Sequence, residues 1–168
     1  PGLEATVFHE PPDTNDPQAM HLVVVIVDAD SGEVSIQDYF TADDCGVIVN
    51  PMIVEGQVHG GLAQGIGQAV MEHVVYDDAG SGQLLSGTFM DYAMPRAGDL
   101  PNVRCTFIET PAPSNPLGVK GGSETGTIGA PAAIGNAVVD ALWDLGVRHV
   151  PLPITAQSVW QAIRDAVG

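Results

Sequence analysis

Lys120 and Glu124 lie four residues apart in the stretch Gly118-Val119-Lys120-Gly121-Gly122-Ser123-Glu124-Thr125-Gly126, in which four of nine residues are glycine. Glycine permits positive φ and lets a bound group approach the backbone closely. A carboxylate on such a loop, just ahead of a helix, is placed for acid–base work. Glu124 is therefore the candidate catalytic group. The bland alternative is a surface loop with a solvated glutamate, and the loop's composition alone does not decide between them. Three better-known loops are excluded. A P-loop places lysine after its glycines, whereas Lys120 precedes Gly121 and Gly122. A nucleophile elbow needs Gly-x-Ser-x-Gly, and Thr125 stands where the second glycine belongs. The nearest dinucleotide fingerprint, Gly65-Ile66-Gly67, has Val70 in its third place and sits inside a helical pattern.

The elements that must position this loop are readable from periodicity. Residues 1–20 carry four acids and four prolines, and form an extended entry arm to a domain over 21–168. His21 to Val27 reads as a buried strand, and Glu33 to Phe40 alternates with Val34, Ile36 and Phe40 on one face. The turn Asp28-Ala29-Asp30-Ser31-Gly32 joins them as a hairpin, and no calcium-loop glutamate follows it. Asn50-Pro51 starts a helix as cap and first residue. That helix should reach His73, with Val58, Leu62, Ile66, Ala69, Val70 and His73 as its core stripe.

The same helix holds Gly56, Gly60, Gly61, Gly65 and Gly67. Each costs about 1 kcal/mol against alanine. At 100° per residue, Gly56, Gly60 and Gly67 fall within about 40° of one another, away from the apolar stripe. Either another helix packs closely there or a ligand lies on bare backbone beside Gln57 and Gln64. Residues 83–101 read as irregular with Phe89, Tyr92 and Met94 as anchors, and Val103 to Thr110 as a third strand with Val103, Cys105 and Phe107 on one face. Pro131 should lie in the first turn of a second helix carrying Ile134, Ala137, Val138, Ala141, Leu142 and Leu145, ended by Gly146. Thr155 caps a third helix carrying Val159, Ala162, Ile163 and Ala166. Three strands and three helices in mixed order give an α+β class.

Composition sets the outer bounds. The 168 residues suffice for one domain with a core, and 20 glycines with 13 prolines imply many turns. Charged residues make up only 15%, as expected of a piece whose surface is covered by other chain; the start at Pro1 reads as mid-chain. The net charge of −16 makes nucleic acid and anionic membrane poor partners. No apolar run approaches a membrane span. Cys45 and Cys105 lack metal spacing and read as free thiols of a reducing, cytoplasmic compartment. His9, His21, His59, His73 and His149 show no ligand spacing, and no metal-ligating residue is assigned.

Four spaced motifs then fall in a familiar order: Asp44-Cys45-Gly46-x3-Asn50-Pro51, Gly56-Gln57-x2-Gly60-Gly61-x2-Gln64-Gly65, Lys120-Gly121-Gly122-Ser123-Glu124, and Gly129-Ala130-Pro131-Ala132-Ala133-x2-Asn136-Ala137. Nearly the whole chain resembles the C-terminal part of the molybdenum-binding large subunit of the xanthine oxidase family, which includes xanthine dehydrogenases, aldehyde oxidoreductases and aerobic carbon monoxide dehydrogenases.

The resemblance implies a molybdenum–molybdopterin cofactor, usually the cytosine dinucleotide form in bacterial members. It implies that Glu124 is the base that takes a proton from a metal-bound hydroxyl during hydroxylation of an aldehyde, an N-heterocycle or carbon monoxide. It implies that Gln57 hydrogen-bonds the pterin, and that Lys120, Gly121, Gly122 and Ser123 line the cofactor. Iron–sulfur clusters and FAD would sit on partner domains or subunits, within an oligomer that includes the remainder of the large subunit. Ser123 departs from the family's frequent glycine. Alone, the chain should turn nothing over. The alternative is a non-catalytic cofactor-binding or assembly domain derived from that family.

Overall fold

The computed structural model describes residues 2–8, 10 and 12–168; the arm reading at Pro1, His9 and Pro11 lies outside the described residues. Three strands form one sheet in the order β1-β2-β3: β1 (Gln18–Val27), β2 (Val34–Asp44) and β3 (Asn102–Ile108). β1 and β2 are the antiparallel hairpin, whereas β2 and β3 run parallel. Helix α1 (Pro51–Val70) packs across α2 (Thr125–Ala141), and α2 covers β1. Helix α3 (Ala156–Val167) closes the end near the hairpin turn, where Gly32 at φ +77° lies against the Ala156 backbone. The class is α+β with a mixed sheet, as the element order implies.

The hairpin differs from its expected alternation at one point. Val24 pairs with Asp38 but Val25 pairs with Ile36, so Gln37 is the extra residue of a β-bulge. The bulge flips the parity of β2. Val34 and Ile36 face inward before it, and Tyr39, Thr41 and Asp43 face inward after it. Phe40, expected beside Val34 and Ile36, is therefore on the outer face under the Arg104 guanidinium. β1 buries only His21, Val23, Val25 and Val27 in part; Met20, Leu22, Val24 and Ile26 are exposed on its other face. An unbroken aliphatic run implies burial on both faces, and this chain supplies cover for one.

The core holds Val58, Leu62, Ile66 and Ala69 of α1, Ala130, Ile134 and Val138 of α2, and Val159 and Ile163 of α3. α1 ends at Val70 rather than His73, because the Met71 and Glu72 amides both turn back onto the Gly67 carbonyl; His73 is exposed. Pro131 is seven residues into α2, not in its first turn, since the helix already starts at Thr125. It forgoes the bond to the Thr127 carbonyl, and that carbonyl instead faces α1 at Gly65. α2 stops at Ala141, and Gly146, φ +88°, closes the short 3-10 turn Trp143–Leu145 that follows. Phe89 and Met94 are exposed, so they anchor nothing here, while Tyr92 donates to Glu72 at 2.7 Å.

Candidate cofactor-binding and active site

The segment after β2 and the Gly118–Gly126 loop form one framework. Gly46 and Val119 form an isolated antiparallel bridge that brings 45–47 against 118–120, with Gly46 and Gly118 both at φ +66°. The Val47 amide donates to the Gly118 carbonyl at 3.0 Å, and the Lys120 amide to the Cys45 carbonyl at 2.9 Å. A Cβ on Gly46 would collide with the Gly118 carbonyl and approach the Lys120 nitrogen at 2.9 Å, so only glycine fits. The Lys120 ammonium lies 2.9 Å from Asp44 Oδ2, with both side chains largely buried. Burial alone would raise the Asp44 carboxyl. The Lys120 ammonium and the Gly46 and Thr110 amides outweigh it, holding the group well below the usual carboxylate range. The motif Asp44-Cys45-Gly46 thus serves to hold Lys120-Gly121-Gly122, 76 residues away along the Lys120–Asp44 pair.

A second clamp was not foreseen from sequence. The Gly121 amide donates to the Asn15 carbonyl at 2.9 Å, and Asn15 Oδ1 accepts from Ser114 and, at 3.2 Å, from Asn115 Nδ2. The arm therefore braces the loop. Its only sequence signal was Asn15-Asp16-Pro17, a rigid extended entry to β1.

The far end of the loop is set by two helices in backbone contact. Gly61 and Gly65 of α1 meet Gly126, Thr127 and Ala130 of α2. A Cβ on Gly126 would stand 2.6 Å from the Val58 carbonyl and 2.8 Å from the Leu62 amide. Of the five glycines on α1, these two answer to close helix packing, and Gly67 lies against Pro95. Gly56 and Gly60 are different: a Cβ there would meet nothing within 4 Å. Glu124 is the N-cap residue of α2, two positions before Gly126, with an exposed side chain that makes no capping bond. Its negative charge suits the helix N-terminus. These residues leave the Glu124 side chain open to solvent.

Gln57, Lys120, Gly122 and Ser123 line one groove of about 400 Å³, together with Cys45, Asn50 and the apolar Val49 and Ile53. Gly121 is not in its wall, since its amide is turned to the arm. Asn50 Oδ1 caps α1 through the Ile53 amide, as the Asn-Pro pair implied. Lys120 is spent on Asp44. The polar groups open to a ligand are therefore the Gln57 carboxamide, the Ser123 hydroxyl and the backbone at Gly122. Exposed Val49 and Ile53 offer apolar area for a ring face, and bare backbone at Gly56 and Gly60 runs alongside. A flat heteroaromatic group with amide-like edges, such as a pterin, fits this mixture. Cys45 and Cys105 are free, and burial pushes both thiols up, so neither is a ready nucleophile. Among the described residues no His/Cys/Asp/Glu cluster could hold a metal ion, and no helix is long and apolar enough to cross a membrane.

With that geometry in place, residues 1–101 match a family model described as molybdopterin cofactor-binding domain, and the chain belongs to that family. The match ends before Lys120 and Glu124. Relatives that extend through the loop include the carbon monoxide dehydrogenase large chain of Hydrogenophaga pseudoflava, 38% identical over 98% of this chain and 20% of that one. The nicotine 6-hydroxylase large subunit of Paenarthrobacter nicotinovorans is 41% identical over 99% of this chain and 20% of that one. The crystal structure of a carbon monoxide-reduced Cu,Mo-CO dehydrogenase superposes with a TM-score of 0.92 at 34% identity, covering 99% of this chain and 21% of that one. Quinoline 2-oxidoreductase from Pseudomonas putida 86 gives 0.82 at 45% identity, over 86% and 18%. The chain spans about a fifth of the length of these relatives.

Proposed function

We propose that this chain is the C-terminal portion of a molybdenum hydroxylase catalytic subunit, an oxidoreductase with Glu124 as its general base. The observation that carries the reading is the backbone contact of Gly126 with Val58 and Leu62. It sets the N-terminus of α2, whose cap residue is Glu124, on the helix whose Gln57 lines the groove, and this supports the reading.

In this reading the Gln57 carboxamide and Ser123 hydroxyl bind the polar edge of the pterin, and Val49 and Ile53 cover its face. Lys120 acts at one remove: its bond to Asp44 holds the strand of loop that presents Gly122 and Ser123. The Glu124 carboxylate accepts a proton at its Oε atoms, with the α2 N-terminus behind it. The molybdenum–molybdopterin cofactor, in its cytosine dinucleotide form, would supply the two-electron oxidation when bound, with iron–sulfur clusters and FAD on partner domains or subunits as the electron acceptors. Closing the site from water falls to the remainder of the large subunit. The exposed apolar residues Val49, Met52 and Ile53 beside the groove give that segment a surface to cover. The substrate is a small molecule: an aldehyde, an N-heterocycle or carbon monoxide. The compartment is cytoplasmic.

The test is molybdenum analysis of the assembled protein together with turnover on each of those substrate types. Stoichiometric metal with oxidation of one class supports the reading; a protein that loads the metal yet oxidises none of them contradicts the enzymatic part.

A further inference from the structure

Behind the loop lies a set of buried polar atoms that the site described above does not use. Asp43 has no exposed surface, and neither of its carboxylate oxygens has a hydrogen-bond partner. The Thr125 and Thr127 hydroxyls are likewise buried without a partner; His21 Nε2 and the Thr41 hydroxyl are buried beside the Thr125 backbone and the Cys105 thiol without a well-formed hydrogen bond to either. These groups belong to one place. Thr41 and Asp43 are successive inward residues of β2, and His21 pairs with Thr41 across the hairpin. Thr125 and Thr127 occupy the first turn of α2. The His21 ring fills the space below Gly129, where a Cβ would stand 2.6 Å from Cε1.

Buried polar groups of native proteins are nearly always satisfied, by protein or by ordered water. Lys120 is engaged by Asp44, the residue next to Asp43. His21 Nδ1 is engaged by the Tyr39 hydroxyl at 2.8 Å. Five side chains from β1, β2 and α2, each with a buried polar atom left over, are a polar, enclosed setting of the kind that holds internal water. We propose that ordered water occupies the buried site bounded by Thr41 and Asp43 of β2, His21 of β1 and the first turn of α2, and that through it Asp43 positions the turn that carries Glu124. The water site stands independently; its effect on turnover rests on the reading of Glu124 given above. Asp43 is a positioning residue here, since it acts through solvent and the threonine hydroxyls and touches no reacting atom.

The test uses the assembled protein. A crystal structure that resolves waters should show density at about 2.7–3.2 Å from an Asp43 oxygen and from at least one threonine hydroxyl. Thr125→Val, which keeps side-chain shape but removes a hydroxyl, should lose a water and speed amide exchange at Ile128 to Ala130 by about tenfold, with α3 unchanged. It should lower kcat at unchanged KM and molybdenum content. Asp43→Asn should retain the water. Direct hydroxyl–Asp43 bonds with no density between them would overturn the proposal. So would a peak whose occupancy follows potassium or sodium substitution, or unchanged exchange in Thr125→Val. Glu124→Gln should leave water and exchange as in wild type. If that variant keeps its activity while Thr125→Val still loosens the turn, the base reading falls and the water bridge stands.

Discussion

Gly126→Ala tests how tightly the two helices set the site. The added Cβ would stand 2.6 Å from the Val58 carbonyl, against about 3.4 Å for the onset of ordinary contact. The difference, 3.4 − 2.6, means that α1 and α2 must part by about 0.8 Å. The obstructing atoms are backbone, so no rotamer change relieves them. Overpacking of this kind costs about 1–3 kcal/mol, and the gain in helix propensity returns less than about 1 kcal/mol near a helix start. The net loss should be about 1–2 kcal/mol, seen as roughly fivefold to thirtyfold faster amide exchange across Val58 to Ile66 and Ile128 to Ile134. Glu124 moves with α2, and a displacement approaching 1 Å can cost about 10²-fold in rate, so kcat should fall by one to two decades with molybdenum retained. Gly60→Ala is the control on the same helix, because its Cβ meets nothing within 4 Å. It should leave the crossing intact and lower cofactor content. Gly126→Ala with native exchange and native rate would refute the claim that this contact sets Glu124.

Three further outcomes follow. Lys120→Met leaves the buried Asp44 carboxylate with only amide and hydroxyl donors, and should destabilise the protein by about 3 kcal/mol, the low end for a broken buried pair, read by denaturant unfolding. Because the Asp44 pKa is depressed in the folded state, its contribution is present above the ordinary carboxylate range and is lost as pH falls below it. Burial lowers His21 from its usual 6.5 despite the opposing pull of Asp43. The folded protein thus declines a proton that the unfolded chain accepts, and stability should fall as pH drops through about 6.5; comparing denaturation midpoints at about pH 7.5 and 5.5 checks this, and His21→Gln should flatten the dependence. Gln57→Ala should lower pterin and molybdenum content together, measured by metal analysis, without changing amide exchange at the α1–α2 crossing.

Element identity was legible where local rules act alone. Asn50-Pro51 and Thr155 start helices by capping chemistry, and the stripe Val58, Leu62, Ile66, Ala69 follows from period. What escaped was set by contacts distant in sequence. The bulge at Gln37 changes which side chains of β2 face inward, and no residue there advertises it. α2 begins six residues before Pro131 because Gly126 can lie flat on α1, a packing advantage that overrides proline's preference for a first turn. The glycines of α1 looked alike in sequence but serve three surfaces: α2, Pro95 and open space. In the site, Lys120 carries a buried pair that only the fold reveals, and Asn15 holds Gly121 through a backbone carbonyl, which leaves no side-chain signature.

The most direct measurement of the central claim is the single-turnover rate of Glu124→Gln in the assembled protein, with molybdenum and pterin quantified in the same sample. Loss of a general base predicts a fall of about 10²–10⁴-fold at wild-type cofactor content. A near-normal rate with full molybdenum loading would contradict the assignment of Glu124.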